Sequence, residues 1–441
     1  MNEQHSSMAP SGSAGGHAPI LDRLAQRGLI LGGGGLVAGL GLALLGEGGF
    51  QRFMGSYVIA FAFVLAIALG ALGFVIIQHL TRAGWSVTNR RIAELIASTI
   101  PLLAVLFLPI VLNLLLSKHP VLPWADAELA QADPLIAKKA AYLNSGFFLV
   151  RWAIYFGIWV GLSRFFLGTS LKQDESGDPR LTIKMEKMAA PAVLLFGLSL
   201  SFAAFDLLMS LDPHWFSTIF GVYYFAGCMM SFFAACILLG KWLQKNGAIG
   251  AGEITTEHRH DLGKFLFGFV VFWSYVAFSQ FMLIWYANNP EETGWYDVRQ
   301  NGAMGYFSIA LIFVHFVIPF FGLLSRHVKR HPVALPFWAA WLLVAQWLDL
   351  FFIVVPSVQH WMGHGHAGEG HAALGHADAA HAAGQVADHA HELFPLALSD
   401  LLTPIGLAGL ALFFFARRAR AVALTPKLDP RRGESLSLQN I

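Results

Sequence analysis

Five ionisable residues inside apolar runs of this chain stand out: Arg151, Asp206, His315, Asp349 and, nearer the end of its run, Glu94. Such a group in hydrocarbon costs about 2.5–3.5 kcal/mol on insertion scales, so it turns to the interior of a helix bundle and takes a partner. Two chemistries use residues of this kind. Asp, Glu and His relay protons, and the same groups line polar pockets for a quinone head, where His or Asp accepts the proton released on oxidation. The plainer alternative is a set of buried ion pairs that fix helix register. Arg151 is the expected partner of Asp206, and His315 of Asp349. Glu94, Tyr223 and Gln280 are the residues expected to extend a hydrogen-bonded chain, with Tyr223 and Gln280 the candidates for contact with a quinone.

The two aspartates share a local pattern. Asp206-Leu207 is followed seven residues on by Pro213, and Asp349-Leu350 by Pro356, both at an offset of 143. Gly161-Leu162-Ser163-Arg164 and Leu323-Leu324-Ser325-Arg326 close the preceding spans in the same order. This points to an internal repeat. Taking each proline as the outer end of its helix, the aspartates sit roughly 10 Å below the outer surface, and Arg151 and His315 near the middle.

The elements that must position these groups are transmembrane helices. The 441 residues are 56% hydrophobic and 13% charged, against about 25% charged in a soluble domain. About twenty apolar residues span a bilayer, and spanning segments must satisfy their own backbone as helices. Ten runs qualify: 29–47, 52–78, 92–116, 142–166, 187–210, 219–243, 262–286, 303–326, 334–355 and 395–416. The first is the weakest, because the glycines at 32–35 lower helix propensity, though small residues also permit close helix packing. The expected fold is an all-α integral membrane domain over 29–416. Two parallel four-helix bundles, helices 2–5 (about 52–210) and helices 6–9 (about 219–355), are flanked by helices 1 and 10.

Lys and Arg sort by side of the membrane. With a cytoplasmic N-terminus, 23 of the 29 basic residues fall on the inner side. Both termini are therefore expected in the cytoplasm, as tails 1–28 and 417–441. Trp124, Trp215, Trp295 and Tyr296 fall at outer helix ends, where an interfacial aromatic belt would sit. The outer segment 357–394 holds eight of the eighteen histidines amid Ala and Gly. Its composition builds no core, so it reads as a solvated loop without a fixed ligand set. The stretch before the first run lacks a clean cleavage site, so no removable signal peptide is expected.

Metal chemistry has little to build on. Cys228 and Cys236 lie eight residues apart in one run, with no CxxC or CxxCH in the chain, so neither an iron–sulfur nor a c-type haem signature is present. A b-type haem needs two facing axial ligands, and His315 is the only histidine well inside a span. His79, His327 and His331 sit at inner ends and His214 in an outer turn. No resident metal is expected, and electron transfer would be shared with partner subunits. No nucleic-acid partner is expected.

Three stretches carry a resemblance: GWSVTNRRIAELIASTIPLLAVLFLP (84–109), FDLLMSLDPHWFSTIFGVYYFAG (205–227) and FWSYVAFSQFMLIWYANNPEETGWY (272–296). They resemble the smaller NrfD-like (ActF-type) membrane subunits of bacterial alternative complex III, a quinol:cytochrome c oxidoreductase. The likeness covers about residues 20–420 and extends to the polysulfide-reductase membrane-subunit superfamily, whose fold is two four-helix bundles. It implies a place in the bacterial inner membrane. It implies as partners a larger NrfD-like quinol-oxidising subunit, an iron–sulfur subunit, multihaem and monohaem cytochrome c subunits, and a terminal oxidase. Menaquinone or ubiquinone would be the quinone. Within such a complex this chain would bind quinol, transfer protons, or act as a scaffold. A secondary transporter is the competing class, since two bundles with midplane charges suit one. Transporters, however, break their helices near the substrate, and Pro101, Pro109 and Pro319 offer only a weak form of that.

Overall fold

The computed structural model describes residues 17–45, 49–366 and 397–439. Among them there is no strand. Ten helices are long and apolar enough to cross a membrane. They are α1 (Ala18–Leu45), α2 (Gly49–Leu80), α3 (Val87–Leu116), α4 (Ser145–Ser176), α5 (Arg180–Leu207), α6 (Phe220–Lys245), α7 (Thr256–Ala287), α8 (Gly302–Leu324), α9 (Ala334–His366) and α10 (Leu398–Ala419).

Several boundaries differ from the hydropathy reading, because helices continue past the apolar run. α1 begins at Ala18, so the expected tail 1–28 is helical in its last part. α9 runs to His366, so the expected loop 357–394 begins inside a helix; the rest of that His-rich stretch, from 367, lies outside the described residues. The expected tail 417–441 is not free over its described residues, 417–439: Asp429 and Ser435 are buried and bonded to the helix ends.

The turns gather at two ends. At one, Trp124 donates to Ser210 at 3.1 Å, and Trp215 stacks on Trp295 at 4.3 Å. This tryptophan end corrects the expected aromatic belt. Trp124, Trp215 and Trp295 are buried, whereas Trp285, Tyr286 and Tyr306 are exposed. At the opposite, arginine end, Arg91 bonds Asp174 at 2.8 Å and Arg82 bonds Glu186 at 3.2 Å, tying the α2–α3 turn to α4 and α5.

α2 is the central helix, packed against α1, α3, α5, α6, α9 and α10. Its glycines set the closest approaches. A Cβ on Gly70 would lie 2.1 Å from the Cys228 carbonyl, and one on Gly73 would lie 2.9 Å from Phe196. At its tryptophan end Arg52 and Ser56 both bond Asp400, which fastens α2 to the start of α10.

The two helices expected to flank the bundles are packed on each other. Gly28, Gly32, Gly35 and Gly39 repeat at intervals of four, three and four, so they form one stripe on α1. That stripe meets Gly406, Gly409 and Thr403 of α10: a Cβ on Gly35 would lie 2.8 Å from the Gly406 nitrogen, and one on Gly409 2.6 Å from the Gly32 nitrogen. Gly33 and Gly34 face open space. Between lipid-facing helices there is no hydrophobic drive to associate, so close backbone packing has to supply the attraction. We expect Gly35→Leu or Gly409→Leu to lower stability by about 1–3 kcal/mol through overpacking, measured by thermal unfolding in detergent. Gly34→Leu should leave the melting temperature unchanged or raise it, since it adds helix propensity and meets nothing.

Candidate functional site

Proline decides the local geometry of the second half. It lacks an N–H and crowds the carbonyl four residues back, so it leaves helix carbonyls unpaired. Pro319 follows a π-helical turn at Phe313–Val317, in which Ile318 bonds back to Phe313 and Val314 loses its donor. The indole of Trp341 supplies one, at 2.8 Å. Pro356 does the same inside α9. There Arg299 donates to the carbonyls of Phe352 at 3.0 Å and Ile353 at 2.8 Å, and to Ser357 at 2.9 Å. This corrects the reading of Pro356 as a helix end. Pro213 does follow a helix end, α5 stopping at Leu207, but α9 passes through its proline because Arg299 caps the freed carbonyls.

By sequence position alone Arg299 belongs to an outer loop. It sits on a short helix, Pro290–Gln300, that folds back over α9. Its guanidinium is buried and lies 3.5 Å from the Trp295 ring centre. Burial pulls the group down to about 9, with Asp212 acting the other way, so it remains a cation at neutral pH. Its hydrogen bonds go to carbonyls and a hydroxyl rather than to a carboxylate.

These elements enclose a cavity of about 640 Å³ between α6, α7, α8, α9 and the short helix; Tyr223, Trp273, Gln280, Tyr296, Arg299 and Phe352 are in its wall. Gln280 accepts from Ser217 at 3.0 Å and donates to the Tyr296 hydroxyl at 3.2 Å. Burial pushes the Tyr296 hydroxyl up to about 12, so it stays protonated.

Behind the wall lies Asp349. The Tyr223 hydroxyl donates to one carboxyl oxygen, and the Gln346 amide to the other at 3.2 Å. Among the described residues no basic side chain forms a salt bridge with it. The expected His315–Asp349 pair is not formed. His315 stacks on Trp273 with ring centres 3.6 Å apart, neither ring nitrogen has a partner in hydrogen-bonding geometry, and Gln346 is the polar side chain in electrostatic reach. The π turn sets the direction of His315, and Tyr223 takes the place at the carboxyl that His315 was expected to fill.

The first half is different. Arg151 donates twice to Asp206, Nε to Oδ2 at 2.7 Å and Nη2 to Oδ1 at 3.0 Å, and Tyr155 donates to Oδ2 at 3.0 Å. The remaining Arg151 nitrogen donates to the Tyr142 carbonyl at 2.8 Å, and the guanidinium lies 3.9 Å from the Tyr142 ring centre. The expected pair is present, and both carboxyl oxygens have donors. Glu94 joins neither aspartate. It is at the arginine end, with Oε2 bonded to Arg91 at 3.0 Å. The five ionisable residues therefore occupy three separate places.

The residues missed by sequence reasoning are Arg299, Trp273, Gln346 and Tyr155. Tyr155 is four residues from Arg151 and Gln346 three from Asp349, so helical periodicity places each beside a group already singled out. Arg299 and Trp295 are likewise four apart, but nothing local shows that their helix is buried. Among the described residues no group of three His, Cys, Asp or Glu is placed to hold a metal. A scan against protein-family models finds no match, and a search of curated proteins returns no relative of this chain.

Removing one partner of a buried ion pair leaves an uncompensated charge, whereas removing both does not. We expect Arg151→Met to cost about 3–5 kcal/mol, and Arg151→Met with Asp206→Leu to recover most of the loss. Equal losses in the single and double variants, read by thermal unfolding, would show that the pair is not coupled.

Proposed function

We propose that this chain is a multi-pass membrane subunit of a respiratory quinol:cytochrome c oxidoreductase, and that the cavity between α7, α8 and α9 is its quinol-binding and proton-accepting site. The observation that carries this reading is the link from the cavity wall to a buried acid: Tyr223 lines the cavity and donates to Asp349, which has no salt-bridge partner among the described residues. Sequence resemblance to NrfD-like subunits of alternative complex III supports it. On this reading both termini are cytoplasmic, the tryptophan end faces outward, and the two Asp-Leu-x5-Pro segments descend from one repeat.

The residues fit a quinone ring. Pockets for molecules of this size occupy about 300–1,000 Å³ and are mainly apolar, with a few fixed polar groups. Here the rings of Trp273, Trp295 and Phe352 supply flat apolar walls, and Gln280 and Tyr296 supply an amide and a hydroxyl. When bound, quinol supplies two electrons and two protons. The chain's own part is to orient the ring and to take a proton. Tyr223 passes its hydroxyl proton to Asp349 and regains one from the cavity side. Asp349 suits that task because no neighbouring cation among the described residues holds it ionised, whereas Asp206 is held by Arg151. A buried carboxylate without a counter-charge is costly, so gaining a proton relieves it. The same comparison favours a structural role for the Arg151–Asp206 pair.

The test is quinol:cytochrome c turnover in purified complex carrying Asp349→Asn or Tyr223→Phe, after all haems and subunits are shown to be retained. We expect a loss of about 10²-fold or more for Asp349→Asn, the scale of a general base. Asp206→Asn in an assembled complex should leave turnover near that of the parent. Unchanged turnover in Asp349→Asn would return this chain to a scaffold role, and purification without haem-bearing partners would favour a transporter.

A further inference from the structure

At the arginine end His79 Nε2 on α2, and Arg90 Nε and Glu94 Oε1 on α3, are among the buried polar atoms without a hydrogen-bond partner, as are the adjacent Gln78 Oε1 and Asn89 Nδ2. Arg90 is the residue that links the first three of them. Arg90 Nε and Glu94 Oε1 are 3.7 Å apart, too far for a direct hydrogen bond. His79 stacks on Phe166 of α4 at 5.4 Å, and the Arg90 charge is within electrostatic reach of it. One turn beyond Phe166, Ser170 accepts from Arg91, the residue that bonds the other Glu94 oxygen. The first three orphan atoms are a donor, an acceptor and an imidazole nitrogen that can be either. Together they complement one water molecule, and buried waters typically make about three hydrogen bonds to such groups.

The C-terminal segment roofs this place. The Ala423 carbonyl accepts from Arg91 at 2.9 Å, and Asp429 bonds Arg90. Asp174 on α4 accepts from the Lys427 amide at 2.7 Å. Arg431 bonds Glu186 of α5 at 2.7 Å, and Arg432 bonds Glu253 of the α6–α7 turn at 2.5 Å. Ser435 is fully buried; it donates to the Trp85 carbonyl at 2.8 Å and lies 2.9 Å from His258 Nε2. The segment thus fastens to the α2–α3, α4–α5 and α6–α7 turns, directly over the side chains that hold Glu94.

We propose that His79, Arg90 and Glu94 form an internal water site, and that the segment 423–438 is a lid whose opening connects Glu94 to bulk solvent. The water would accept from Arg90, donate to Glu94 and bond His79, which gives Glu94 a single-water route for proton exchange. The lid is latched by ion pairs at Asp429, Arg431 and Arg432 and by the buried hydroxyl of Ser435. This inference is independent of the quinol reading, since its test needs neither quinol nor turnover.

Two measurements on the purified full chain decide it. His79→Phe keeps a ring against Phe166 and deletes Nε2. If that nitrogen were dry, removing a buried unsatisfied polar atom would raise the melting temperature. If it holds a water, the substitution orphans that water, and we expect the melting temperature to fall by several degrees; a rise overturns the water site. For the lid, Asp429→Asn combined with Arg431→Gln should speed maleimide labelling of a His79→Cys chain several-fold. A cysteine at Asn113, buried toward the tryptophan end, should label at an unchanged rate. Equal rates at His79→Cys with and without the latch variants overturn the lid. If His79→Cys fails to fold, backbone hydrogen exchange of residues 84–97 in the same latch variants replaces the labelling: faster exchange supports the lid, and unchanged exchange overturns it.

Discussion

One constraint organises this molecule: in a bilayer every backbone carbonyl needs a donor from within the protein. Pro109, Pro319 and Pro356 each leave helix carbonyls without a backbone donor, α9 running on through Pro356, and each gap is mended from another helix. Near Pro109, Ile110 bonds back to Phe107, and the Tyr57 hydroxyl bonds the Leu106 carbonyl at 2.6 Å. Trp341 bonds Val314 beside Pro319, and Arg299 bonds Phe352 and Ile353 beside Pro356. Two of these repairs lie beside the cavity. The breaks turn His315 onto Trp273 and draw the short helix Pro290–Gln300 over α9, and that is how the cavity acquires its cationic wall. Helix interruption is therefore stronger here than Pro101, Pro109 and Pro319 suggested as letters, although it serves an aromatic cavity rather than a set of opposed half-helices.

The two aspartates show how one sequence pattern yields two electrostatic situations. Asp206 receives three donors, two of them from a guanidinium, and is balanced where it stands. Asp349 receives neutral donors from Tyr223 and Gln346. In a low-dielectric interior charged and neutral donors stabilise a carboxylate very differently. The cavity is adjacent to Asp349, the acid with neutral donors. The second half carries the cavity and the acid beside it, while the first half carries the satisfied ion pair.

The ends of the bundle are as organised as its middle. At the tryptophan end, Trp124, Trp215 and Trp295 pack inward and fasten the turns there to each other. At the arginine end, the buried Arg90, Arg91 and Glu94 are closed over by the C-terminal segment. α1 and α10 join along glycine stripes that bring their backbones into contact. These contacts are stacked rings, polar bonds or close backbone approaches, which depend on packing and hydrogen bonding and not on a hydrophobic drive between helices.

Much of this was legible in the letters. Ten helices and the buried acids follow from local hydrophobicity, because partition into the bilayer is set by each segment's own composition. The Arg151–Asp206 pair follows from the need of a buried charge for a partner, although Arg151 lies near the start of α4 and not near the middle as expected. The glycines at 32–35 of α1 were legible as small residues that permit close packing, but not as a stripe. What only the tertiary structure decided is lateral: which helix faces which, that α1 meets α10, that Arg299 leaves its polar stretch to cap α9, and that Trp273 rather than Asp349 receives His315. Hydropathy is silent on these choices, since a leucine against lipid and a leucine against another helix are nearly alike in energy. They are settled by side-chain shape, by carbonyls that proline leaves unpaired, and by buried charges finding donors. Those interactions exist only once distant parts of the chain stand side by side.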